Sequence, residues 1–124
     1  MKEVARKAGA AAMAFYGDEG RDNKVDAKDD ASPVSQADMA SHNMIVEGLS
    51  VAGKFVMSEE DLGGDERLQQ EELFIVDPLD GTKDFLQQTG DFSILLTYVV
   101  GGRPIAACVY KPVGDVLWFA EQGK

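Results

Sequence analysis

Apolar residues recur at helical spacing near the start of the chain, at Val4, Ala8, Ala11, Ala12 and Phe15. That spacing predicts an amphipathic helix over residues 3–16, with Gly17 as its stop. Lys2, Arg6 and Lys7 precede the Ala-rich run and give it a faint likeness to a secretion signal, but the helical periodicity favours the helix. Residues 17–31 are polar and charged, with apolar positions only at Val25, Ala27 and Ala31, and read as a loop with a short strand around 24–27. A connection of that length is more often functional or mobile than idle. Ser32-Pro33 marks a turn. Ser35 is the expected N-cap of a second helix running to Leu49, with Asp38 as its acidic capping-box partner and Met39, Met44, Ile45 and Leu49 facing inward.

Beyond the second helix the period changes from helical to that of strands. Phe55 to Met57 is a short strand, followed by the acidic Ser58-Glu59-Glu60-Asp61 and an exposed insert, Gly63 to Gln70. Leu73 to Val76 is a continuous apolar run, expected to be a buried strand that stops at Asp77-Pro78. Gly81-Thr82 then leads into a short helical pattern, Lys83 to Gln88. Phe92 to Val100 is a long strand with Phe92, Ile94, Leu96 and Tyr98 on one face. Gly101-Gly102-Arg103 signals a hairpin, Ile105 to Tyr110 returns, Lys111 to Asp115 turns, and Val116 to Ala120 closes a meander. Trp118 and Phe119 point to opposite faces of that last strand, so at least one should be buried. The order is α+β, with helices first and a mostly antiparallel sheet of about five or six short strands after them.

Composition alters this picture in a few places. At 124 residues the chain is one domain by length. Its formal charge of −10 argues against a nucleic-acid groove and against an anionic membrane, leaving at most a peripheral contact there. An acidic protein that handles a phosphorylated anion needs bound cations to bring the two together. The single cysteine, Cys108, lies in an apolar run and reads as a small buried side chain in a reducing cytoplasm. No stretch approaches transmembrane length.

The candidate chemistry sits where the apolar run ends. Asp77 and Asp80 stand three residues apart just before Gly81-Thr82, so a buried strand delivers two carboxylates beside a helix start. Hard oxygen ligands next to backbone N–H groups suit a divalent cation and a phosphate. The same residues fit equally a strand, an Asp-Pro turn and a capped helix. Asp38 taken alone is explained by capping, Lys28 by a solvated loop, and Glu59 by an acidic loop, although Glu59 follows directly on an apolar strand. His42 lies one helical turn from Asp38 and has no second histidine to form a metal pair, so it reads as a surface or hydrogen-bonded side chain.

The segment Asp77-Pro-Leu-Asp80-Gly-Thr82-Lys-Asp-Phe85 resembles the first signature of the lithium-sensitive, magnesium-dependent phosphomonoesterases of the inositol monophosphatase superfamily. Ser58-Glu-Glu-Asp61 and Ser32-Pro-Val-Ser-Gln-Ala-Asp38 match in the family's order, and Thr89-Gly-Asp-Phe-Ser-Ile94 follows. Agreement runs from about Val4 to Glu121. The serine-rich segment and Lys83 look like the 3'(2'),5'-bisphosphate nucleotidase branch.

The resemblance implies a fold like the N-terminal domain of the αβαβα sugar-phosphatase sandwich, with residues 1–124 as the metal-binding half and a C-terminal α/β domain absent from this chain. It implies Glu59, Asp77 and the Leu79 carbonyl as ligands of one Mg²⁺, and Asp77 and Asp80 as ligands of a second, within a set of two or three ions inhibited by lithium. Thr82, oriented by Asp38, would align the attacking water, with Glu60 as a further catalytic group. Gly81, Thr82 and Lys28 would hold the phosphate. The implied reaction is hydrolysis of adenosine 3',5'-bisphosphate to AMP and phosphate by a cytoplasmic enzyme acting on a small phosphorylated nucleotide or sugar, homodimeric at full length. Inositol monophosphatase activity is the alternative. A truncated fragment that binds metal without turnover is the third reading.

Overall fold

Small side chains let the first helix lie close against the sheet. The computed structural model describes residues 1–16, 33–50, 53, 55–58 and 71–123. Helix α1, Lys2–Met13, buries Ala5, Ala8, Gly9 and Ala12 along one face. It is shorter than the periodicity predicts, because Phe15 and Tyr16 donate to Ala12 and Met13 three residues back and the helix tightens into turns. Gly17, the expected stop, and the loop and strand expected over residues 17–31 lie outside the described residues, as does the insert expected over 63–70.

Helix α2, Pro33–Ser50, starts two residues before the expected cap. Proline suits a first helical position, where its missing N–H costs nothing. Ser35 therefore falls within the first turn instead of capping it, and Asp38 is not the partner of a Ser35 cap. The buried stripe of α2 runs Val34, Ala37, Ser41, Ile45 and Leu49, at steps of three and four. Met39 and Met44, expected inside, fall off that stripe and are exposed, by 54% and 37%.

Five strands follow the chain in order: β1 (Phe55–Ser58), β2 (Glu72–Asp80), β3 (Ser93–Val100), β4 (Arg103–Lys111) and β5 (Val116–Glu121). β1 pairs parallel to β2, and the other neighbours pair antiparallel. The architecture is α+β, as the element order predicts. Gly101 and Gly102 turn between β3 and β4 at φ 58° and 80°, the two positive values of a type I′ hairpin. Phe92 precedes β3 instead of opening it, yet is fully buried.

Helices α1 and α2 pack on each other and on one face of the sheet. Between them lie Ala5, Ala8, Ile45, Leu49, Phe74, Val76, Ile94, Leu96, Cys108 and Tyr110. Burial pushes the Cys108 thiol pKa up, against a weaker downward pull from the N-terminal amine, Arg6 and Lys2, which suits an inert packing residue. The other face presents Ile75, Leu95, Val109, Val116 and Trp118 and carries no helix among the described residues.

That arrangement corrects the expectation for β5. Phe119 pairs with Cys108 on the helix side, but β5 lies at the sheet's edge, and the ring is 37% exposed beneath the Lys2 ammonium at 4.5 Å. Trp118 pairs with Val109 on the bare side and is 54% exposed. Neither aromatic is buried.

Helix α1 comes close to the sheet at Gly9, where a Cβ would stand 2.6 Å from Tyr110 Cε2 and 3.0 Å from Pro112 Cγ. Tyr110 is itself held by the bond its hydroxyl donates to Asp115 Oδ1 at 2.7 Å. Gly9→Ala gains about 1 kcal/mol of helix propensity, but overpacking a core costs about 1–3 kcal/mol. The pinned ring decides the balance. Gly9→Ala is expected to lower the urea midpoint, and a raised midpoint would show that the ring steps aside freely.

Candidate metal and phosphate site

Two side chains three residues apart on a regular strand point to opposite faces. The pairing of β2 with β3 removes that obstacle. Asp77 pairs with Leu95 and Asp80 with Ser93, so β2 advances three residues while β3 advances two. The extra residue is a β-bulge. Leu95 and Ser93 share a face, and so therefore do Asp77 and Asp80. Burial follows the same pattern: Pro78 and Leu79 both turn inward, Leu79 to 4% exposure, while Asp77 is half-buried and Asp80 exposed. The strand thus continues to Asp80 and does not stop at Asp77-Pro78. Proline is tolerated because the bulge takes it out of the ladder.

A second core fixes this end of β2. Leu79 packs with Ala12, Val34, Ala37, Phe85 and Phe92. Tyr16, Phe85 and Phe92 contact one another ring to ring, with centroids 4.9–5.3 Å apart. Phe85 anchors helix α3, Thr82–Gln87, one residue earlier at each end than the pattern predicts. Gly81 precedes it at φ 94° and its carbonyl accepts the first helical bond from the Phe85 N–H at 2.9 Å. Gln88 ends it in the left-handed region at φ 58°. The Asp84 carboxylate accepts a bond from the Thr89 hydroxyl at 2.9 Å, which ties the end of α3 to the loop before β3.

The structure brings Asp77, Leu79, Asp80, Gly81 and Thr82 together in one continuous turn from β2 into α3. Thr82 is exposed at the first position of α3. Asp38 is half-buried on α2, which packs against both β2 and α3, and it lines a groove of about 730 Å³ with Phe15, Ser35 and Asn43. Lys28, Glu59 and Glu60 lie outside the described residues. Ser58, which precedes Glu59, pairs with Val76, which precedes Asp77. His42 is half-buried, and its Nδ1 is enclosed without a hydrogen-bond partner among the described residues, unlike the surface or bonded histidine expected.

Among the described residues no three His, Cys, Asp or Glu side chains group closely enough to hold a metal ion. The donors on hand are the Asp77 and Asp80 carboxylates and the Leu79 carbonyl, all oxygen, which fits a hard cation such as Mg²⁺ better than a soft one. One contact has no counterpart in the sequence pattern. The Ser41 hydroxyl, fully buried on α2, donates to the Pro78 carbonyl at 2.7 Å. Nothing in the sequence hints at it.

The model of the inositol monophosphatase family matches residues 1–124. The chain belongs to that family. It is 41% identical to the 3'(2'),5'-bisphosphate nucleotidase CysQ of Shigella flexneri over 98% of its own length and 50% of that protein's. The Salmonella typhimurium CysQ is 39% identical over the same shares. The crystal structure of CysQ from Bacteroides thetaiotaomicron, a bacterial member of the inositol monophosphatase family, superposes with a TM-score of 0.86 at 34% identity, covering 99% of this chain and 45% of that one. The chain spans about half the length of the curated relatives it matches.

Gly81 joins those two elements with no room for a side chain. A Cβ there would meet the Phe92 Cα at 3.2 Å and the Asp91 carbonyl at 3.4 Å, on a backbone already at positive φ. Gly81→Ala is expected to cost roughly 1–3 kcal/mol by strain, read as a fall in melting temperature. An unchanged melting temperature would show that the turn has another conformation available.

Proposed function

We propose that this chain is the N-terminal, metal-binding part of a Mg²⁺-dependent phosphomonoesterase that hydrolyses the 3'-phosphate of adenosine 3',5'-bisphosphate to give AMP and phosphate. The observation that carries the reading is the bulge, which sets Asp77 and Asp80 on one side of the sheet immediately before α3. The likeness to CysQ nucleotidases over nearly the whole chain supports the substrate. The lone buried Cys108 is in keeping with a reducing cytoplasm as its place.

Asp77, Asp80 and the Leu79 carbonyl would hold Mg²⁺ here, with Glu59 as a further ligand. Bound there, Mg²⁺ neutralises phosphate charge and polarises the phosphoryl oxygens, which a chain of formal charge −10 cannot do by itself. The chain's own groups supply position. The Gly81 and Thr82 N–H groups, at the start of α3, and Lys28 bind phosphate oxygens. The Thr82 hydroxyl orients the attacking water, and Asp38 holds that hydroxyl by accepting its proton in a hydrogen bond. Glu60 assists in placing the water. A phosphate monoester resists attack chiefly because it is doubly negative, so charge neutralisation and alignment account for most of the catalysis.

Asp77→Asn, made in the full-length protein, is expected to abolish phosphate release from adenosine 3',5'-bisphosphate while leaving the circular dichroism spectrum unchanged. Activity within about tenfold of the parent would remove Asp77 from the metal site. Assays on inositol 1-phosphate in parallel decide between the two substrate classes.

Thr82→Ala is expected to lower kcat by ~10²–10⁴, the range for an orienting or proton-transfer group, with Mg²⁺ affinity nearly unchanged. Asp38→Asn should behave in the same way, and the double variant should be little worse than either single one. Losses that multiply would show that the two residues act separately.

A further inference from the structure

Among the described residues Ser41 is the one buried polar side chain of the core, at 0% exposure. A hydroxyl has one proton to give. In a helix it commonly goes to the carbonyl four residues back. Here it goes to Pro78, 37 residues away in the chain.

The bulge explains why Pro78 needs a donor. Between Asp77 and Asp80 the ladder has no paired position, so the Pro78 carbonyl lies outside the β2–β3 register while its residue is fully buried. A buried carbonyl left without a partner is costly. The next atom of the same peptide unit, the Leu79 N–H, donates to Asp77 Oδ1 at 3.3 Å. The peptide is planar and trans, so its C=O and N–H point in opposite directions. One rigid plate is therefore held by α2 at one end and bonded to the Asp77 carboxylate at the other.

We propose that Ser41 is a positioning residue: through the Pro78–Leu79 peptide it sets the orientation of the Asp77 carboxylate and thereby the affinity of the site for a divalent cation. The inference rests on the reading of Asp77 as a metal ligand. Losing the hydroxyl frees the plate to rotate about the bulge, and rotation breaks the Leu79–Asp77 bond as well. Groups that orient metal ligands typically change metal affinity by about 10–100-fold when removed. Acting through one intervening peptide, Ser41 belongs at the lower end of that range.

The test compares variants of the full-length protein by calorimetric titration with Mg²⁺ alone, without substrate. Ser41→Ala is expected to weaken Mg²⁺ binding about tenfold, while KM for substrate at saturating Mg²⁺ stays the same. Ile45→Val, one turn further along α2, removes core volume without touching Pro78 and should lower the melting temperature while keeping the parental Mg²⁺ affinity. Ser41→Thr retains the donor and should keep parental affinity even where its extra methyl lowers the melting temperature. The proposal is overturned if Ser41→Ala leaves Mg²⁺ affinity unchanged, if Ile45→Val weakens it equally, or if Ser41→Thr weakens it as much as Ser41→Ala. Asp77→Asn is the reference that separates the two readings. If it leaves Mg²⁺ affinity intact, the metal-site reading fails and this inference fails with it. If it abolishes binding and Ser41→Ala changes nothing, only the role of Ser41 is lost.

Discussion

A single extra residue in β2 decides where the acidic side chains of this protein point. Without the bulge between Asp77 and Asp80, strand alternation would send one carboxylate into the helix-covered core and the other to the opposite face. With it, Pro78 and Leu79 both turn inward and the two aspartates share the outer side. The rest of the structure serves that irregularity. Leu79 is gripped by the aromatic cluster of Tyr16, Phe85 and Phe92, and Gly81 makes the tight passage into α3.

The two helices divide the supporting work. α1 relies on small residues to come close to β4, and it closes the main core against the sheet. α2 reaches further, with Ile45 and Leu49 in that core and Val34 and Ala37 in the second, beneath the bulge. Ser41 sits between these two sets of contacts on the same stripe. A helix that bridges both cores can hold the strand end steady relative to the bulk of the sheet, which is the requirement for carboxylates that must keep their spacing.

Most of the fold was legible because its signals are local. Alternation marked the faces of β3, paired glycines marked the hairpin, helical spacing marked α1, and the turn at Ser32-Pro33 marked where α2 begins. The candidate site was legible as a motif, but its geometry was not. Asp-Pro reads as a strand end, and only the register with β3 reveals that the strand continues through a bulge. Met39 and Met44 were misplaced because an apolar side chain carries no record of which stripe the neighbouring layer will cover. Trp118 and Phe119 were misplaced because burial on an edge strand depends on elements that the strand itself does not encode. Ser41 carried no signal because its partner is 37 residues away.

Trp118 has a consequence of its own. It is the only tryptophan in the chain, and it stands on the sheet face that carries no helix among the described residues. Its indole meets solvent over about half its surface, at 54% exposure. Indole emission from this chain, excited beyond the range where its tyrosines absorb, therefore comes from one known place and reports on water at that face. Anything that covers the sheet there shifts the emission to shorter wavelength and shields it from dissolved quenchers. Events confined to the helix side leave it unaltered. The molecule thus contains its own optical gauge of whether its bare side is wet or dry.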